Sequence, residues 1–335
     1  MMEFFSNYGL FLAKAITILI FLWVLISLIA SVAHKQHDED NIEIKNLNKK
    51  FKNIKLLMQK SLLAKKEAKQ LEKENKKQAK KDKGSDDRQR VFVINFVGNI
   101  KASAVKHLRK EITAVLSVAK PSDEVVVCLE NAGGMVHEHG FASSQLERIK
   151  QRNIPLTVAV DKVAASGGYM MACVADKIIA APFSIIGSIG VLAQIPNFNR
   201  LLDKHGVDFE QVKAGDLKRT LTMFGKNTDE DRARLTEQME ETHTLFKDFV
   251  AEHRHQVNID EIATGEHWLG KKALDLKLVD ELMTSDDYLF AKSESANVYE
   301  IVHTSPKTVS EKIKGSAQLA LEKVLTVWWE RNLLK

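Results

Sequence analysis

Cysteine is scarce in this chain, with two in 335 residues: Cys128 inside the apolar run 125–129, and Cys173 in a stretch rich in Met and Ala. No disulfide framework follows, neither thiol has the spacing of a metal ligand, and both read as small buried hydrophobes. So few cysteines leave the redox compartment open. A basic surface is also lacking in the part of the chain that can fold. Residues 34–90 hold 18 Lys and Arg against 10 Asp and Glu, residues 1–33 set Lys14 against Glu3, and the overall +5 leaves residues 91–335 at a net −3. A general polyanion-binding face is not expected there, which argues against a nucleic-acid partner, whereas the basic stretch suits anionic lipid headgroups. The first apolar run has no clear basic start, only Glu3 and Lys14 before it, and this argues against a cleaved signal peptide.

Residues 15–33 are free of charge, 19 residues that as a helix cover about 28 Å, close to the hydrocarbon thickness of a bilayer. Gly9 to Leu12 add length to spare and Lys14 can snorkel, so residues 9–33 are expected as a transmembrane anchor. Beyond it, Ile44, Leu47, Phe51, Ile54 and Met58 recur every three or four residues, a heptad-like seam that fades at Ser61 and Lys65. Lys, Glu, Gln and Ala then dominate up to Lys83, and Gly84-Ser85-Asp86-Asp87 punctuates the sequence. Residues 34–89 are therefore expected as a basic helical or coiled arm and linker, for spacing, for oligomer contact or as a plain tether. The Lys and Arg excess directly after the span would hold that side in the cytoplasm.

From residue 90 the periodicity changes. Residues 90–97, 124–129, 154–160 and 177–181 read as buried strands, and 102–119 and 141–150 as helices between them. Strands alternating with helices predict an α/β domain with a largely parallel sheet, whose reactive positions gather at the C-terminal ends of the strands. Two segments leaving strands are rich in glycine: Asn131-Ala132-Gly133-Gly134 and Ser166-Gly167-Gly168.

Ser166 lies between an apolar strand and a helix-forming run, where first-turn N–H groups favour a negatively charged oxygen and glycines let a substrate backbone approach. An ordinary N-cap serine with glycines for tight packing accounts for the same residues. A glycine pair after a strand can present backbone N–H groups to a developing oxyanion, or can simply make a tight turn. A nucleophilic serine also needs a proton acceptor. Among the 11 histidines, His137-Glu138-His139 is weak as a base or metal motif, and His253 and His255 read as solvated residues of a charged helix. A lysine serves only if burial lowers its pKa from about 10.4 to about 7–8. Lys218 is a candidate, but neither periodicity nor composition selects it from 49 Lys and Arg residues.

The motifs Ala165-Ser166-Gly167-Gly168-Tyr169, Gly187-Ser188-Ile189-Gly190-Val191 and Gly215-Asp216-Leu217-Lys218-Arg219-Thr220 together resemble the signal peptide peptidase A family of serine–lysine proteases. The single anchor, the basic arm, Gln194-Ile195-Pro196-Asn197-Phe198 and Trp328-Trp329 are similar to its SohB-type branch in bacterial inner membranes. The resemblance implies a ClpP/crotonase-like serine peptidase domain over residues 90–300. It implies Ser166 as nucleophile, Lys218 as general base, Ser188 as the support that orients the lysine, and Gly133 and Gly134 as the oxyanion hole, with no metal and no cofactor. Two departures stand out: the oxyanion turn reads Asn131-Ala132 where the family commonly has Ser-Pro, and the lysine motif differs from Gly-x-Tyr-Lys-Ser-Ala. Losing the proline frees φ and is expected to loosen the turn.

The function so implied is a membrane-anchored endopeptidase acting on peptides or membrane-protein remnants such as signal peptides, with small or apolar residues at the cleavage site, as a homo-oligomer. The resemblance favours a single-pass protein of the bacterial inner membrane with a periplasmic domain; the charge rule favours the cytoplasm. A scaffold on an inactive protease fold and an acyl-CoA enzyme of crotonase type are the rival classes. Residues 301–335 set Leu319, Leu321, Val324, Leu325, Trp328 and Trp329 among Lys, Glu and Arg. They are expected as an amphipathic helix for the membrane interface, for a neighbouring subunit, or for closing the domain.

Overall fold

The computed structural model describes residues 2–33, 41–63, 67, 88–215, 218 and 221–304. Helix α1 (Met2–Ala33) belongs to one unit of the chain, and residues 42–304 form a second, compact one. Most of the charged arm after Leu63, its Gly84-Ser85-Asp86-Asp87 break, and the tail from Ser305 lie outside the described residues.

The compact unit is built on a seven-stranded sheet. Its strands are β1 (Asn41–Asn46), β2 (Arg90–Val97), β3 (Glu124–Glu130), β4 (Leu156–Val160), β6 (Lys177–Ala180), β9 (Glu281–Leu282) and β10 (Asn297–Thr304), in the order β1-β10-β2-β3-β4-β6-β9. From β10 to β9 every neighbouring pair is parallel, which is the α/β class expected. Helices α3 (Val105–Leu116) and α4 (Val136–Lys150) make the crossovers between β2, β3 and β4. A smaller three-stranded sheet joins β5 (Val163–Ala165), β7 (Ile185–Gly187) and β8 (His267–Leu269).

Strands covered on both faces must be apolar at nearly every position. Along β2, Phe92, Ile94 and Phe96 enter one core with Leu108, Ile112 and Leu146. Val91 and Val93 point the other way, into a second core with Leu47, Tyr288 and Leu289. That second face is closed by α2 (Leu47–Leu62) and α8 (Ser285–Ser295). Residues 42–62, expected within the helical or coiled arm and linker of residues 34–89, therefore belong to the folded unit. The seam is split between strand and helix: Leu47 is buried, Phe51 packs edge-on against Phe290 at 5.5 Å, and Ile54 and Met58 stay exposed. Asn48 fixes the dock, donating to the carbonyls of Ser293 and Ala296 at 2.8 Å and accepting the Val298 N–H at 2.7 Å. At the other boundary, β10 runs to Thr304, so residues 301–304 are strand rather than part of a terminal helix.

Candidate active site

Ser166 stands between β5 and α5 (Gly167–Ala172). In the small sheet Ala165 pairs with Gly187, so the residues that follow, Ser166 and Ser188, emerge side by side. Both have left-handed backbones, Ser166 at φ 51° and Ser188 at φ 52°. Such a conformation costs about 1–3 kcal/mol for a residue with a side chain and persists only where its surroundings hold it. Here the Ser166 N–H donates to Gly187 O at 2.7 Å, and the Ser188 N–H donates to Glu266 O at 2.6 Å. The sharp turn leaves the Ser166 side chain projecting into a cleft at the head of a helix.

The glycine turn forms the facing wall. Gly133 and Gly134 have φ of 91° and 155°, and neither has room for a side chain. A Cβ on Gly133 would lie 2.7 Å from Ser166 Cβ and 3.0 Å from the Gly167 nitrogen; one on Gly134 would lie 2.1 Å from Ile100 O. The turn is not loosened by the missing proline, because Asn131 closes it: its Oδ1 accepts the Gly133 N–H at 2.6 Å. The Asn131 backbone in turn binds β5, donating to Val163 O at 2.9 Å and accepting from the Ala165 N–H at 3.0 Å. Thus one residue ties the glycine turn to the strand that delivers Ser166. Of the glycine pair, Gly133 has its N–H committed to Asn131. Among the described residues no backbone hydrogen bond engages the N–H of Gly134 or of Gly167, the latter a first-turn donor with no partner inside its helix.

Ser166, Ser188, Gly133 and Gly134 share a cleft of about 1030 Å³, which also takes in Gln194 and His243. Against it lies an apolar recess of about 20 Å³ beside Ser166, walled by Val136, Met170, Val191 and Phe246. His243 and Phe246 come from α7 (Asp229–His253), a charged helix started by a Thr228–Asp231 capping box. The Nε2 of His243 is buried without a hydrogen-bond partner among the described residues. Sequence reasoning passed over His243, since nothing in a solvated-looking helix distinguishes the turn that meets the cleft.

Lys218 is not brought into this group. It is exposed, its N–H donates to Gly215 O at 3.2 Å, and no hydrogen bond or ion pair among the described residues joins it to Ser166. Its segment, between Val191 and Thr228, contains one short helix among the described residues, α6 (Asn199–Lys204), and holds itself through Asn197 and Asn199 on the carbonyls of Thr222, Gly225 and Phe224. Leu192 and Val212, exposed at 77% and 99%, show how little of the segment this single chain covers. The burial that a basic lysine needs is therefore not supplied by the described residues. His253 departs from expectation in the other direction: only 12% of its side chain is exposed, and Nε2 lies 3.3 Å from Glu147. Burial pushes the Cys128 thiol up to about 12 and raises Cys173 as well, so neither cysteine offers a thiolate.

Comparison with known proteins adds a second line. The model of the peptidase family S49 N-terminal region matches residues 3–146, and that of peptidase family S49 matches residues 148–299. The chain is 45% identical over 332 residues to a "Probable protease SohB" of Haemophilus influenzae, covering 94% of each protein. It is 46% identical over 305 residues to a "Probable protease SohB" of Buchnera aphidicola subsp. Schlechtendalia chinensis, covering 87% of this chain and 100% of the relative. A "Putative signal peptide peptidase SppA" of Enterococcus faecium is 31% identical over 167 residues, about half of each chain.

Proposed function

The chain belongs to peptidase family S49, in its SohB-type branch, and on that premise we propose that it is a membrane-anchored serine endopeptidase with Ser166 as nucleophile and Lys218 as general base. The observation that carries this reading is the convergence of Ser166, Ser188 and the glycine turn in one cleft, on the backbone of a strained serine elbow. Neutral Lys218 takes the Ser166 proton as Oγ attacks a peptide carbonyl. The oxyanion is received by backbone N–H groups of the turn and of the helix start, those of Gly134 and Gly167 having no partner among the described residues, while Gly133 gives the turn its shape. Lys218, now an ammonium, protonates the leaving amine, and a water deprotonated by the lysine releases the acyl group. Ser188 supports the lysine. The narrow apolar recess suits a small or apolar residue at the cleavage site, as in signal-peptide remnants.

Lys218 requires desolvation, and the exposed apolar segment around it suits burial by a neighbouring subunit of a homo-oligomer. Residues 9–33 are the anchor: the apolar part of α1, Tyr8–Ser27, is 20 residues, about 30 Å of helix. The setting is the bacterial inner membrane with the domain in the periplasm. An inactive scaffold is the second reading, favoured by one observation, the exposure of Lys218. The test is labelling of the full chain in detergent by a fluorophosphonate and cleavage of an apolar peptide library, beside Ser166→Ala and Lys218→Ala. Loss of both signals in each variant is expected, whereas a wild type that is folded, oligomeric and inert would favour the scaffold.

A further inference from the structure

We propose that His139 is a positioning residue of the hydrolytic site, acting through Asn131 on the turn that receives the oxyanion; this rests on the reading of Ser166 and that turn given above. His139 sits in the first turn of α4 with 0% exposure, unlike its neighbours His137 and Glu138, whose side chains are exposed. Its Nε2 meets Asn131 Oδ1 at 3.1 Å, and the same oxygen accepts the Gly133 N–H at 2.6 Å. Its Nδ1 meets Met135 O at 2.9 Å. The side chain also packs closely against the residue after the nucleophile, for a Cβ on Gly167 would fall 2.4 Å from His139 Cγ. One imidazole therefore touches the glycine turn through Asn131 and the start of the nucleophile's helix directly.

The amide orientation of Asn131 is what His139 has to maintain. Turned over, its NH2 group would stand against the Gly133 N–H, two donors face to face, so the oxygen belongs there. Yet that orientation leaves Asn131 Nδ2 buried without a partner among the described residues, which opposes it. The bonds that Oδ1 accepts hold the amide: one from the Gly133 N–H and, with the ring proton assigned to Nε2, one from His139, an assignment that leaves Nδ1 no proton to give Met135 O. A Gln side chain places its amide nitrogen about where the ring Nε2 stands, and an Asn side chain about where Nδ1 stands. The pair therefore tells which ring nitrogen carries the donor that matters.

The experiment measures kcat and KM for an apolar peptide, the rate of fluorophosphonate labelling, and Tm, on the full chain in detergent. His139→Gln is expected within about threefold of wild type, and His139→Asn to lose about tenfold in kcat with KM little changed, the scale of one hydrogen bond. Gly98→Ala presses on the same amide from its other side, its Cβ 2.0 Å from Asn131 Nδ2, and is expected to lower kcat likewise even if His139→Asn does not fold. Equal kcat in the Gln and Asn variants, a loss that merely follows Tm, or an unaffected Gly98→Ala would overturn the inference. Cleavage that survives in Ser166→Ala overturns the reading beneath it, and this inference with it; cleavage lost in Ser166→Ala but equal in the two His139 variants overturns this inference alone.

Discussion

Replacing Gly167 by Ala adds one methyl group at the tightest point of the site. Gly167 opens α5 with an ordinary helical backbone, where alanine by itself would favour the helix by roughly 0.5–1 kcal/mol. The new Cβ, however, would lie 2.4, 2.6 and 2.7 Å from the Cγ, Cδ2 and Cβ of His139. These are root atoms of a fully buried ring, not the end of a flexible chain, so α4 or the Ser166 elbow has to move. Overpacking of this kind costs about 1–3 kcal/mol, leaving a net loss of about 1–2 kcal/mol after the helix gain. For a unit of this size that lowers Tm by roughly 2–8 °C, read by thermal unfolding of the full chain. Displacing the Gly167 N–H from the oxyanion is expected to lower kcat by about 10²–10³-fold. Combining it with His139→Ala removes the clash, so the double variant should be more stable than the sum of the two singles by about 1 kcal/mol or more. A Gly167→Ala protein as stable and as active as wild type would refute the close packing of ring on backbone.

Two further predictions concern charges in the fold. Arg254, 2% exposed, donates to both carboxylate oxygens of Asp280 at 2.9 and 2.8 Å and to Lys277 O at 3.0 Å, so Asp280→Asn should strand a buried cation and cost about 3–5 kcal/mol in denaturant unfolding. Burial pushes the Asp123 carboxyl up, but bonds from the Arg90 guanidinium and from the Lys120 and Arg90 N–H groups outweigh it, and the pKa lies below the ordinary carboxylate value. A depressed pKa stabilises the fold above the unfolded value of about 3.9, and that contribution disappears as pH falls through the folded pKa. Asp123→Asn should therefore lose about 1.5–3 kcal/mol at pH 7, with the gap to wild type closing in acid; a gap that does not change with pH would contradict this.

What could be read along the chain was whatever neighbouring residues decide. The runs of β2, β3, β4 and β6 are apolar at nearly every position, and their ends appear within two residues of expectation. The candidate serine was legible because a strand, a hydroxyl and two glycines follow one another directly. The fate of residues 42–62 was not. Their periodicity states that an apolar face exists, but not whether a partner helix or the sheet's own second face will cover it, and Asn48 decides that through residues 245 and more positions away. His139 looked like half of a weak His-x-His motif, and its contact with Asn131 exists only because α4 folds back over the end of β3. Lys218 marks the opposite limit: motif resemblance selects it, yet the desolvation that would make it a base depends on packing that the described residues do not supply.

The sequence by itself determined the α/β class, the apolar span, the strand-to-helix junction at Ser166 and the glycine pair after β3, because these follow from side-chain period and from the backbone freedom of residues close together in the chain. Tertiary structure alone decided that Ser166 and Ser188 emerge as neighbours, through the Ala165 to Gly187 register. It also decided that Asn131 takes over the work of the missing proline and that His139 stands behind it. The first depends on a register between separate strands, and the other two on how the turn after β3 closes against β5 and α4, which the packing of the core fixes.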